Sequence, residues 1–306
     1  MNTVGMKKWH GLLLMVFLFG ISATVRAQSV DDLSKGNLTV IDTAVVLVEY
    51  RYDYRDREED AEHSKDLMGL YIGKKMSMFY HNAYSFFYSL LPENTKKEYQ
   101  RSTEKRLSFK DDAYENARRY EDCQWMIYSN YPEEGMQACF QRFLKGQSFS
   151  RRGNESFYYV ETIPSLEWQL EDGDSVVCDY PCQKAVACFR GRTWHVWYTT
   201  ELPYQEGPWK LCGLPGVIMK AEDASGDFCF EAIAVNELKE KDMLPHTRVY
   251  RKTTPRRMHE YMDMQYKNPE GLWRLLMGDW ITDLMISSGQ QLKNDQGTPC
   301  LLEKFK

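Results

Sequence analysis

Residues 193–199 read TWHVWYT, and the reading of this stretch decides the fold. Its alternation sets Trp194, Val196 and Tyr198 on one face and Thr193, His195, Trp197 and Thr199 on the other, the period-two pattern of a strand with one side against a core. The flanking runs VVCDYPCQKAVACF (176–189), VIMKAED (217–223) and DFCFEAIAV (227–235) share that composition and are separated by the turn signals RGR and ASGD. Farther upstream WMIYSN (125–130), MQACFQRF (136–143), SFYYVETI (156–163) and LEWQLE (166–171) continue the series, with YPEEG, RRGN and EDGD between them. A turn signal roughly every ten residues is the cadence of an antiparallel meander. Asp172-Gly173 and Ser225-Gly226-Asp227 read as hairpin turns, because tight hairpins demand positive φ.

The pattern extends toward the N-terminus. LTVIDTAVVLVEYRYDYRD (38–56) alternates Val46, Val48, Tyr50, Tyr52 and Tyr54 on one face, and LMGLYIGKKMSMFYHN (67–82) reads as a strand or bulged hairpin around Gly73-Lys74-Lys75. Between them and the meander, residues 83–107 shift to helical spacing and end in a solvated charge run. After the meander the period changes again. TPRRMHEYMDMQY (254–266) and NPEGLWRLLMGDWITDLMISS (268–288) read as two helices with Pro255 and Pro269 in their first turns, and Met258, Tyr261, Met262 and Gln265 form a packing face. The expected fold is α+β, mainly β: a curved antiparallel sheet or half-barrel with helices packed on it. The layout is analogous to that of periplasmic lipoprotein carriers of the LolA type. The expected organisation is a leader over 1–27, a β-rich domain over 28–245 and a C-terminal helical extension over 246–306.

The leader follows from Lys7 and Lys8, the apolar run GLLLMVFLFGIS and the small-residue site ending at Ala27. No cysteine follows that site to carry an acyl chain, and no later stretch matches a membrane-spanning helix. A periplasmic or extracellular location is expected. The chain has 39 basic against 44 acidic residues, and loss of Lys7, Lys8 and Arg26 with the leader makes it more acidic, which argues against nucleic acid as a partner. Eight cysteines in an oxidising compartment read first as disulfides. Cys178, Cys182 and Cys188 lack zinc-site spacing, so neither a metal nor a cofactor is expected.

One corner stands apart. GPWKLCGLPGVIMK (207–220) combines Gly207, Pro208, Gly213, Pro215 and Gly216, residues that fix backbone geometry, and Pro215-Gly216 suits the centre of a type II turn. Trp209 and Leu214 are then pressed onto the core, either as packing or as a ligand-facing lid. Arg190 and Arg192 at a hairpin turn are two guanidinium groups suited to a carboxylate or phosphate, or to acids of the same chain. His195 and Trp197 lie on the open face of their strand. The candidate ligand-binding set is therefore Arg190, Arg192, His195, Trp197, Trp209 and Leu214.

Several of these residues also carry a resemblance. Tyr180-x-Cys182-x-Lys184-Ala185, Phe189-x-Gly191-Arg192, Trp197-Tyr198, Leu202-Pro203, Gly207-Pro208-Trp209-Lys210 and Gly213-Leu214-Pro215-Gly216 stand in the order and spacing of the GLPGLI family, secreted proteins of Bacteroidetes. The match covers roughly residues 160–236 and departs from the family at Val217, where Leu is usual. The resemblance implies an envelope location and a β-rich fold, and no settled activity. The sequence contains no nucleophile elbow, phosphate-binding glycine loop or zinc-protease motif. The leading expectation is a non-enzymatic protein holding a lipid or hydrophobic peptide in a concave sheet. Two alternatives are a thiol enzyme or hydrolase using Cys182 or Cys188 with His195, and a structural partner of an outer-membrane transport complex.

Overall fold

The computed structural model describes residues 42–81, 125–143, 156–243, 250–287 and 298–304. The expected leader, the expected helix over 83–107 and Cys123 lie outside the described residues. Twelve described strands form a single open, curved sheet: β1 (Asp42–Tyr54), β2 (Ser64–Gly73), β3 (Ser77–His81), β4 (Trp125–Ser129), β5 (Met136–Arg142), β6 (Ser156–Thr162), β7 (Gln169–Val177), β8 (Tyr180–Phe189), β9 (Arg192–Thr199), β10 (Val217–Asp223), β11 (Phe228–Met243) and β12 (Arg251–Lys252). Their order is β12-β6-β5-β4-β3-β2-β1-β11-β10-β9-β8-β7. Every neighbouring pair is antiparallel except β12 and β6. The mainly β fold with helices on the sheet is therefore the observed one.

Alternation distributes the side chains as expected. Val46, Val48, Tyr50 and Tyr52 of β1 and Trp194, Val196 and Tyr198 of β9 are buried in one core, together with Phe228 and Phe230 of β11. Across β2 to β6 the register aligns Leu70, Phe79, Ile127, Cys139 and Tyr159 on that same face. The next row, Tyr71, Met78, Tyr128, Ala138 and Val160, faces the other way and builds a second cluster with Met76, Tyr131 and Phe140. Gly69 makes room there, since a Cβ would come within 2.8 Å of the Tyr80 ring.

Three described helices follow: α1 (Pro255–Lys267), α2 (Pro269–Met277) and α3 (Asp279–Ser287). Thr254 caps α1 by accepting from the Arg257 amide, and Asn268 caps α2 by accepting from that of Gly271. Pro255 and Pro269 occupy first-turn positions, where a missing N–H costs little. The expected second helix is divided at Gly278, whose φ of 85° ends α2. Met258 is buried in the main core, and Tyr261 meets Phe143 and Phe157 with ring centroids 5.8 and 4.9 Å apart. The face expected to pack on the sheet does so.

Two further expectations are corrected. Asp172-Gly173 is not a hairpin turn: it sits inside β7, where the register with β8 shifts between Glu171 and Asp174, and Gly173 (φ 132°) serves a bulge. The hairpin comes later, at Cys178 (φ 51°) and Asp179 (φ 66°), a primed-type turn made without glycine. Among the described residues the cysteines are also unpaired. Cys139, Cys178, Cys182, Cys188, Cys212, Cys229 and Cys300 are all free thiols. Cys182 and Cys188, for example, are six residues apart along β8, a span of about 20 Å at strand rise, far beyond the reach of a disulfide.

Candidate functional site

The corner that follows β9 is built from close approaches. A Cβ on Gly216 would stand 1.9 Å from the Thr199 carbonyl oxygen, and one on Gly207 would stand 2.6 Å from the Leu211 oxygen and 2.9 Å from Ile218 Cβ. Positive φ belongs to Gly213 (92°) and not to Gly216, so Pro215-Gly216 is not the type II turn that the sequence suggests. Leu214 is buried in the main core. Trp209 holds φ at 57°, a costly conformation for a bulky aromatic, and lies on Phe189 and Trp194 at 5.3 and 5.6 Å between centroids.

Turning the chain at Trp209 buries the next side chain, Lys210. Its ammonium donates to Tyr159 Oη (2.7 Å), Glu161 Oε1 (2.6 Å) and Glu303 Oε1 (2.5 Å). Burial opposes its charge, but the surrounding Cys139, Glu303 and Glu161 prevail and hold it above the usual lysine range. Arg190 completes the cluster through Glu161 (2.6 Å) and, at 3.7 Å, Glu303.

A second buried cation sits nearby. Arg192 donates to Asp223 Oδ2 (2.5 Å) and Asp227 Oδ2 (3.0 Å), with its guanidinium 4.5 Å from the Phe228 ring centroid. It also donates to the Leu301 carbonyl from Nε (3.1 Å) and Nη2 (2.8 Å). The segment 298–304 is thereby strapped across the sheet, with Cys300 N donating to Asp56 O and Lys304 N to Arg190 O. Gly191 admits it, since a Cβ there would come within 2.8 Å of Lys304 Cβ. Both arginines of the hairpin are thus engaged with acids of the same chain.

Between the sheet, α1 and this strap lies a cavity of about 210 Å³. Tyr52, Trp125, Ile127, Phe228, Met258 and Met262 supply apolar wall, while Trp209, Lys210 and Glu303 reach it from the corner and strap. Of the six candidates read from the sequence, Trp209 lines this cavity. Arg190, Arg192 and Leu214 support structure around it. His195 and Trp197 lie elsewhere on the sheet: His195 Nδ1 is 3.9 Å from Glu171, and Trp197 is flanked by the ammonium groups of Lys184 (5.8 Å) and Lys220 (4.6 Å).

No family model matches the chain, and no curated protein matches it. Among solved structures it aligns with PNGF-II. In space group C2 that alignment has a TM-score of 0.43 at 14% identity, covering 71% of this chain and 32% of PNGF-II. In space group P21 the values are 0.41 and 15%, over 65% and 29%. MucB in complex with MucA(peri) aligns at 0.22 and 8%, over 69% of this chain and 54% of that one. The chain thus spans about a third of PNGF-II and about half of MucB, and likeness this distant says nothing of activity.

The thiol chemistry weighed from the sequence finds little support in the geometry. Burial pushes the Cys182 thiol up to about 11, and its hydrogen goes to the Tyr180 carbonyl at 3.4 Å. Cys188 faces Thr193 across the ladder, whereas His195 faces Val186. Sequence reasoning missed Lys210 as a site residue. A lone charge inside GPWKLCGLPGVIM was the available signal, but its partner Glu303 is 93 residues away.

Proposed function

We propose that this is a secreted or periplasmic non-enzymatic protein that holds an apolar ligand, an acyl chain or a hydrophobic peptide side chain, in the cavity between the sheet and α1. The observation that carries this reading is the cavity itself. It joins aromatic and methionine walls to a few convergent polar groups, the usual composition of a small-molecule site. Its volume of about 210 Å³ exceeds the ~150 Å³ of an apolar cavity that accepts benzene. The positive φ of Trp209 supports it further, because strain of this kind collects at ligand-contacting residues. Met258 and Met262 suit an apolar guest of variable shape, since methionine fills irregular space readily. The resemblance to the GLPGLI family and the expected leader over 1–27 support the envelope location. No described helix is long and apolar enough to cross a membrane.

The test is titration with the neutral dye N-phenyl-1-naphthylamine. The full chain should bind it saturably with enhanced emission, and Met258→Trp, which fills the cavity, should abolish the signal while the protein stays folded by circular dichroism. Undiminished binding by the folded Met258→Trp protein places the dye elsewhere and overturns the assignment.

A further inference from the structure

We infer that the ligand of this cavity is an apolar molecule with a carboxylate head, and that the head takes the place of Glu303 on Lys210. The inference rests on the cavity being a ligand site and adds the class of ligand.

The charge pattern points to it. Lys210 and Arg190 face Glu161 and Glu303, so the cluster balances at two cations and two carboxylates. Glu161 belongs to β6 and is built into the sheet, whereas Glu303 comes from the strap. Withdrawing the Glu303 side chain leaves Lys210 and Arg190 sharing Glu161 alone, one positive charge in excess around a buried ammonium, which is unfavourable. A replacement anion restores the balance.

Glu303 is also an imperfect occupant. Its Oε1 accepts from Lys210, but Oε2 is buried and accepts no hydrogen bond, with Arg190 Nε 3.7 Å away. A buried carboxylate oxygen left without a donor carries a desolvation cost. A ligand carboxylate free to orient both oxygens would remove it. Lys210 and Glu303 both line the cavity, as do Trp125, Ile127, Phe228, Met258 and Met262. A molecule seated there has its charged end on Lys210 and its hydrocarbon against these side chains.

Binding of dodecanoate and of 1-dodecanol to the full chain, measured by calorimetry below the aggregation threshold of either, tests this. Dodecanoate should bind more tightly than the alcohol by about tenfold or more, the worth of a charge-assisted hydrogen bond. Glu303→Gln should raise the affinity for dodecanoate more than that for the alcohol, because it removes the internal competitor for Lys210. Lys210→Met should erase the preference. If Lys210→Met fails to fold, the Glu303→Gln comparison alone decides. Equal affinity for the two ligands in the parent and in Glu303→Gln overturns the carboxylate inference and leaves an apolar site standing. Failure of both ligands to bind overturns the apolar site as well.

Discussion

Gly216 lies so close to Thr199 that any Cβ would come within 1.9 Å of its carbonyl oxygen and 2.6 Å of its carbonyl carbon. The contact is with backbone, which has no rotamer to move away. Gly216→Ala should therefore cost on the order of 3 kcal/mol through forced displacement of β9 from the corner. Gly213→Ala meets only an ordinary contact, 3.9 Å from Trp168 Nε1, at a positive φ, and should cost roughly 1 kcal/mol. Pro215→Ala should cost about 0.4–1 kcal/mol. Urea denaturation of the three variants checks the ranking, and a Gly216 variant no weaker than the Gly213 variant would contradict it.

Arg192 is the second point of vulnerability. Its side chain and that of Asp223 are each 1% exposed, so Arg192→Met strands a buried carboxylate and should cost about 3–5 kcal/mol. The same change frees the Leu301 carbonyl. Hydrogen exchange of Cys300 and Lys304 amides should accelerate before global unfolding, whereas uniform acceleration across the chain would argue that the strap is held by other means.

Glu206 gives a pH signature. Burial raises its carboxyl from the usual range to about 7, against the opposing pull of the Ser77 hydroxyl at 2.8 Å. The folded state therefore binds a proton that the unfolded state releases between about pH 4.5 and 7, and stability falls as pH rises through that window. The loss attributable to this group is at most ~3 kcal/mol. Glu206→Gln should match the parent near pH 4 and exceed it at pH 8. A stability difference independent of pH would remove Glu206 as the source.

Alkylation reports the thiols. Burial holds Cys139, Cys182 and Cys300 at about 11, while Cys188 is exposed. Iodoacetamide at pH 7.5 should label Cys188 in the folded protein and reach the other three only after denaturation. Selective labelling of Cys182 under native conditions would restore the thiol-enzyme reading.

What the sequence discloses of this fold follows a physical line. The strand TWHVWYT and the run Val46 to Tyr52 were legible because period-two burial is a local property of the backbone. Asp172-Gly173 was misread because a glycine at positive φ serves a bulge as well as a hairpin, and the actual turn uses Cys178 and Asp179, which reach positive φ without a glycine to mark them. Met258 and Met262 were visible as a helical face but not as cavity wall, since the opposing surface is assembled from Tyr52, Trp125 and Phe228 in three distant strands. Arg192 was noticed as charge; that its partners would be Asp223, Asp227 and Leu301 depended on how the strap returns to the sheet.

The two ends of the sheet have a consequence for how molecules of this protein meet. An unpaired strand edge is a template for another chain. Among the described strands one border is β7, which is kinked by its bulge and carries Glu171, Asp172 and Asp174 around Gly173. The other is β12, two residues long, parallel to β6 and followed closely by the Thr254 cap of α1. Neither β7 nor β12 offers a straight, uncharged ladder of useful length. A second molecule that approaches along β7 meets a bend and three carboxylates, and one that approaches β12 runs out of backbone within a residue or two. At its two described border strands a sheet this wide thus gives edge-to-edge pairing little to build on, without being closed into a barrel.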